Sequence, residues 1–151
     1  VPPEIWRAVC TAPESLPGGT YGRAVFEHLT TFGVAFGLRV SGVLNTMTPD
    51  ELFAYLTAVQ PDVERAVAAA ADALRKLTPP SEFGPDHAAM LQFLDEIGAA
   101  TGAITAASNE RDVDAVLDGF GESRDALVRA QTNISDAYRP IAAPYFGAGP
   151  G

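Results

Sequence analysis

The stretch TPDELFAYLTAVQPDVERAVAAAADALRKL, residues 48–77, decides the fold of this chain. It opens with Thr48, Pro49 and Glu51, which are a capping threonine, a proline in the first helical position and a glutamate that can bond back to the cap. Apolar residues then recur at every third or fourth position, as in an amphipathic helix: Leu52, Leu56, Val59, Val63, Val67, Ala70, Leu74 and Leu77. Pro61 interrupts the segment without shifting this stripe, so the sequence predicts a kinked but nearly continuous helix.

The segment before this stretch has two interpretations. Val25, Leu29, Phe32, Phe36, Val40 and Val43 follow helical spacing and would form one stripe. From Phe32 to Val40, however, large apolar residues also alternate with small or polar ones, as they do in a strand. Because the chain holds no second strand candidate to pair with it, we favour a helix over residues 32–43 and keep the strand as the alternative.

Two more amphipathic segments follow the deciding stretch. Pro79 and Pro80 end the first helix, the next begins near Pro85, and Asn109 is a plausible cap for the last. The short connections make consecutive helices antiparallel. The sequence therefore predicts an all-α, up-and-down four-helix bundle over residues 20–139, with a proline-rich N-terminal arm (1–19) and a flexible Gly/Pro-rich tail (140–151).

Composition excludes several classes of function. The chain has 151 residues, which fit one domain, and 10 basic against 19 acidic residues give a net charge of -9. This charge opposes binding to nucleic acid or to an anionic membrane surface. A single cysteine rules out an internal disulfide or a cysteine-rich metal site. We expect no signal peptide in the sequence, and no transmembrane segment, since Arg39 interrupts the longest weakly charged stretch, residues 29–47.

Few residues could carry catalysis. His87 and His28 border apolar stripes, and a small metal-binding or hydrolytic enzyme would combine them with carboxylates. Metal sites in helical bundles use Glu-x-x-His pairs, and none occurs here, so we predict no metal, no cofactor and no catalytic residue. Cys10 lies in the arm, where nothing places it beside a histidine, and its reactivity stays open.

Aromatic residues are the best candidates for a binding surface. Phe26 and Phe53 lie off the main stripes, where they either widen the core or line a surface between helices. The predicted contact residues for a ligand or partner are Trp6, Phe26, Phe32, Phe36, Phe53 and His87. They indicate a non-enzymatic binding or scaffold domain that contacts a protein partner or an apolar small molecule. Alternatively, the chain is a subunit of a larger assembly and packs through residues 29–47, which would make it an oligomer.

One short motif resembles a known group of proteins. The sequence LRKLTPP, residues 74–80, is followed by His87, Leu91 and Leu94. This is similar to small secreted or lipid-anchored helical proteins of high-GC Gram-positive bacteria, in which Leu-x-x-Leu-x-Pro-Pro ends one helix and a histidine begins the next. The resemblance covers residues 52–138 at the level of helix pattern. It implies a helical bundle and an extracytoplasmic location, and it implies no catalytic residues.

Overall fold

The computed structural model describes residues 15–40 and 47–146, and every regular element in these ranges is helical. The all-α prediction is confirmed there, and the segment that could have been a strand is a helix as far as Val40. A short 3-10 helix, Ser81–Phe83, precedes the third α-helix. The α-helices are α1 (Thr20–Val40), α2 (Pro49–Arg75), α3 (Gly84–Asn109), α4 (Val113–Asn133) and α5 (Arg139–Phe146).

The predicted start of α2 is confirmed in detail. The Thr48 hydroxyl accepts from the Glu51 backbone N–H at 3.3 Å, and the Glu51 carboxylate accepts from the Thr48 N–H at 3.4 Å. This reciprocal capping satisfies two backbone donors that the first turn would otherwise leave without partners. Pro61 lies inside α2, and the helix runs past it without a break, as the unshifted apolar stripe predicts.

The helices pack mainly as sequential neighbours. α1 lies against α2, α2 against α3 and α3 against α4, while α5 returns to α1. A large apolar cluster draws residues from all five helices, and a smaller one joins the start of α2 to the end of α3 and the start of α4. Tyr138, Phe32, Phe93, Leu29 and Leu74 are the largest fully buried side chains.

A glycine turn places the beginning of α1. Gly18 has φ +76° and Gly19 has φ +57°, a region of backbone conformation that residues with a Cβ rarely adopt. Within the first turn of the helix, a Cβ on Gly22 would lie 2.0 Å from the Pro17 carbonyl oxygen. The chain can therefore fold back closely over its own first helical turn, which fixes the position of the adjacent Tyr21.

The C-terminal region differs from the prediction. The segment expected to form one helix through Tyr138 ends as α4 at Asn133, and α5 occupies residues 139–146, where a flexible tail was expected to begin. Pro140 lies in the first turn of α5, where a missing N–H breaks no helical hydrogen bond. Ile141 and Ala142 are completely buried, and this packing stabilises the short helix. Residues 147–151 lie outside the described ranges.

The connection between α3 and α4 also differs locally. Asn109 is the last residue of α3, and the cap of α4 is Asp112, whose carboxylate accepts from the Ala115 N–H at 3.0 Å. Arg111 has φ +56°, which reverses the chain between the two helices. Leu117 follows Val113 and precedes Phe120 at helical spacing, yet 47% of it is exposed.

Candidate functional site

A series of buried hydrogen bonds, the histidine junction, connects α1, α3 and the segment before α5. The Tyr21 hydroxyl lies 2.7 Å from His87 Nδ1 and 2.9 Å from the Tyr138 hydroxyl. The backbone of Leu74, at the end of α2, lies beside His87 and acts to raise its pKa. Tyr21, His87 and Tyr138 are all buried, with exposed fractions of 8%, 7% and 0%.

The surroundings keep the three side chains uncharged. Burial lowers the pKa of His87 below its ordinary value, and the backbone of Leu74 offsets part of this effect. Burial raises the pKa of Tyr138, and its hydrogen bond with Tyr21 raises it further. Burial also raises the pKa of Tyr21, whereas the hydrogen bond with Tyr138 lowers it. At neutral pH the junction therefore consists of an imidazole and two phenols.

The histidine fixes the direction of these hydrogen bonds. We assign the proton of the neutral His87 to Nε2, the ring nitrogen that does not face Tyr21, so that Nδ1 is an acceptor. Under this assignment Tyr21 donates to His87, and its single proton is used. Tyr138 then donates to Tyr21. Both phenol protons thus have an acceptor inside the fold.

Asp86, next to His87, forms a separate polar contact. Its two carboxylate oxygens accept from the Ser135 backbone N–H at 2.6 Å and from the Ser135 hydroxyl at 2.9 Å. Asp86 is buried, with 4% exposed. Hydrogen bonds to a carboxylate are stronger than neutral ones, so this contact ties the start of α3 to the connection between α4 and α5.

The enzyme hypothesis expects His87 beside a carboxylate from another helix, within a cleft. His87 instead contacts a tyrosine hydroxyl and lies beside the backbone of Leu74 in a buried position. His28, the second predicted residue, lies half-buried on α1 and is not part of the junction. Within residues 15–40 and 47–146, no three His, Cys, Asp or Glu side chains are grouped as metal ligands would be. The junction is therefore better suited to holding helices together than to acid–base chemistry.

The structure does not bring the predicted aromatic contact residues into one surface. Phe26, Phe32 and Phe53 are buried, with exposed fractions of 5%, 1% and 5%. Phe32 belongs to the large core cluster, and Phe53 belongs to the small one. These rings widen the core, which was the other interpretation of their positions.

Several of the other predicted residues lie outside the part of the chain that the structure describes. Trp6 and Cys10 lie outside the described ranges, and so does the side chain of Phe36, whose backbone belongs to α1. The same holds for most of the segment 29–47 that was considered as an assembly surface. Its described part includes Leu29 and Phe32, which are buried within the chain itself.

An open groove runs between α2 and α3, and we call it the α2–α3 groove. Its volume is about 410 Å³, whereas the depression between α3 and α4 measures about 10 Å³. The groove has a floor of apolar and small residues and a charged rim. The floor is formed by Val67, Ala68, Ala71, Leu94, Gly98 and Gly102, and the rim by Glu64, Asp72, Arg75 and Asp95.

Polar contacts between the two helices close both ends of the groove. At one end Arg75 of α2 donates to Asp95 of α3 at 2.5 Å and also to Asp72. At the other end the Thr105 hydroxyl of α3 donates to the Glu64 carboxylate of α2 at 2.6 Å. The groove therefore has a defined length and two fixed walls.

Sequence reasoning missed this groove, although a signal for it was present. The Ala68–Ala71 run is a thin helix face that allows close packing, and Gly98 and Gly102 continue such a face on the next helix. The combination of small residues at four-residue spacing with carboxylates beside them could have indicated a groove. It could not have indicated which sides of α2 and α3 remain uncovered, since that depends on where α1 and α4 pack.

Within the described residues, no helix is at once long enough and apolar enough to cross a membrane. Comparison with protein-family models, curated proteins and solved structures finds no match for the chain. The geometry of the chain itself therefore carries the functional argument. Of the two features described, the histidine junction is engaged within the fold, and the α2–α3 groove is open to a partner.

Proposed function

We propose that this chain is a non-enzymatic helical binding domain that contacts a protein partner through the α2–α3 groove. The observation that carries the proposal is the groove itself, about 410 Å³ in volume, with an apolar floor and charged edges. Protein contact surfaces commonly combine an apolar centre with a polar rim. The junction around His87 supports the proposal indirectly, because the hydroxyls of Tyr21 and Tyr138 are both engaged in hydrogen bonds within the fold.

We further propose that α1 to α4 form an up-and-down four-helix bundle, which α5 completes by packing on α1. The contacts between sequential helices support this arrangement. An extracytoplasmic setting is part of the proposal, and its support is the motif in residues 74–80 together with His87. In such a setting the domain would hold or position another protein.

Site-directed photo-crosslinking tests the proposed function. A benzoylphenylalanine at Ala68, which is exposed in the groove, should capture a partner in cells that produce the chain. Ala99 is the matched control, because it is an exposed alanine of α3 that does not line the groove. We expect one dominant crosslinked species from Ala68 and little of it from Ala99.

The captured species must then bind the purified chain. Substitution Ala68→Trp, which fills the groove, should weaken this binding at least tenfold, and Ala99→Trp should leave it unchanged. Equal crosslinking from both positions, or binding that Ala68→Trp does not affect, would contradict the proposal.

A further inference from the structure

We infer that the α2–α3 groove takes an amphipathic helix whose apolar face is flanked by lysine or arginine. This inference rests on the proposed function and adds the chemistry of the partner to it. Helix-in-groove binding is a common way in which helical domains recognise a segment of another protein.

The shape of the groove matches a helix. Its lining residues on α2 run from Glu64 to Arg75 at spacings of three and four, which places them in one row along that helix. Eleven residues of helix rise about 16 Å, or about three turns, so a partner helix of similar length fits between the two polar ends. Small side chains on the floor allow helix axes to approach closely.

No contact within the described chain requires a glycine at position 102, on the floor of the groove. A Cβ on Gly102 would meet no atom within 4 Å among the described residues, while one on Gly98 would lie at an ordinary 3.6 Å from Val67. Gly119 provides the contrast, because its Cβ would lie 2.5 Å from Ile104 across a helix contact. A glycine inside a helix costs about 1 kcal/mol relative to alanine. Gly84 and Gly121 are equally open, but of the three only Gly102 lies in the groove, where a partner helix could approach it closely.

The charged residues on the rim of the groove favour a basic partner. The rim carries three carboxylates, on Glu64, Asp72 and Asp95, against the single guanidinium of Arg75. Arg75 already pairs with Asp72 and Asp95, so its charge is compensated inside the rim. The remaining excess is negative, in line with the net charge of -9 for the whole chain. Lysine or arginine beside the apolar face of a partner would complement this rim.

Other occupants fit less well. Pockets for small apolar molecules are enclosed and rich in large apolar and aromatic side chains, whereas this groove is open and floored largely by alanine and glycine. A second copy could offer the exposed Leu117 and Val128 of its α4. Asp114 and Asp125 outnumber Arg124 beside that face, however, so its excess negative charge would meet the carboxylates of the rim. A basic helix from another protein is the occupant that shape and charge favour together.

Three labelled peptides test the inference by fluorescence anisotropy with the full chain. The first is a fifteen-residue (about four turns) helical peptide with leucines on one face and lysines flanking them. The second replaces each lysine by glutamate, and the third keeps the lysines but has a central proline that prevents a helix. We expect the lysine peptide to bind at least tenfold more tightly than either of the others, and less tightly as salt increases.

Two variants locate the binding. Gly102→Leu fills the groove and improves helix propensity, so it should weaken binding at least tenfold without loss of stability. Glu64→Gln with Asp72→Asn should weaken it about threefold to tenfold, which is the effect of two exposed charge pairs. The control, Asp118→Asn with Glu122→Gln, removes the same charge from α4 and should change the affinity less than twofold.

The outcomes separate this inference from the proposed function. Equal affinity for the lysine and glutamate peptides, or for the helical and proline peptides, would overturn the inference. If a partner captured at Ala68 is not a basic helix, the inference fails while the proposed function stands. If the chain self-associates and Gly102→Leu abolishes this, the occupant is a second copy and the inference is wrong.

Discussion

The substitution Tyr21→Phe tests the direction of the hydrogen bonds in the histidine junction. It removes a hydroxyl that accepts from Tyr138 and donates to His87, and it leaves the ring in place. The Tyr138 proton then has no acceptor and His87 Nδ1 has no donor, both in buried positions. Each buried group left unpaired costs about 1–3 kcal/mol, so we expect the free energy of unfolding to fall by about 2–4 kcal/mol.

The companion substitution Tyr138→Phe should cost less, although Tyr138 is the more deeply buried of the two. It removes the Tyr138 hydroxyl, which donates to Tyr21, and Tyr21 still donates to His87. No buried proton loses its acceptor, so the expected loss is about 1 kcal/mol. In the double variant the unpaired Tyr138 proton no longer exists. Its loss of stability should therefore be smaller than the sum of the single losses, by about 1 kcal/mol or more.

Urea unfolding followed by circular dichroism at pH 7.5 measures all four proteins, and equal m-values confirm that the compared states are the same. Because phenylalanine fills the space of each ring, loss of packing does not contribute to the differences. If Tyr138→Phe destabilises the chain as much as Tyr21→Phe, or if the two effects add, the assigned direction is wrong.

Three further predictions follow from single contacts. Gly119→Ala places a Cβ 2.5 Å from Ile104 and should destabilise the chain by about 1–2 kcal/mol in urea unfolding. The control is Gly121→Ala, whose Cβ meets nothing within 4 Å in the described chain. It should stabilise the chain by up to about 1 kcal/mol, because alanine favours a helix more than glycine does. Asp86→Ala removes the acceptor of both hydrogen bonds from Ser135 in the α4–α5 connection, and should cost about 1–3 kcal/mol by the same assay. Because the pKa of His87 is lowered on folding, the unfolded chain binds the proton more readily, so unfolding free energy should decrease as the pH falls below about 6.5. His87→Gln should flatten this decrease between pH 7.5 and 5.5. If unfolding free energy falls with pH along parallel curves in the two proteins, His87 is not the cause of the decrease.

Local signals in the sequence were sufficient to predict α2. The capping residues of α2 and its apolar stripe predict a helix that the structure contains. Because the stripe keeps its register across Pro61, the sequence predicts that the helix continues past this proline, as it does. The C-terminal region shows the limit of such signals. Pro140 and Pro144 argue against a helix, yet α5 forms because Ile141 and Ala142 are buried against the rest of the chain. Packing of this kind leaves no local pattern to find.

The candidate site was less predictable than the fold. His87 was recognised as a residue at the edge of an apolar stripe near a helix start, and it is buried there. Along the chain, Tyr21 lies 66 residues from its partner His87 and 117 residues from its partner Tyr138, so no spacing could connect the three residues. The groove was harder still to predict, because an uncovered helix face made of alanine and glycine resembles an ordinary close helix contact in sequence. Only the arrangement of the neighbouring helices distinguishes the two.

The two features of the chain are connected through the spacing of α2 and α3. His87 packs beside the backbone of Leu74 at one end of the pair, and the buried Gln60 donates to the Thr101 carbonyl at 3.1 Å toward the other end. The contact between Thr105 and Glu64 adds a third connection beside the groove. The walls of the groove are thus fixed before a partner arrives, and binding free energy is not consumed in assembling them. A partner helix should therefore bind with little change in the backbone of α2 and α3.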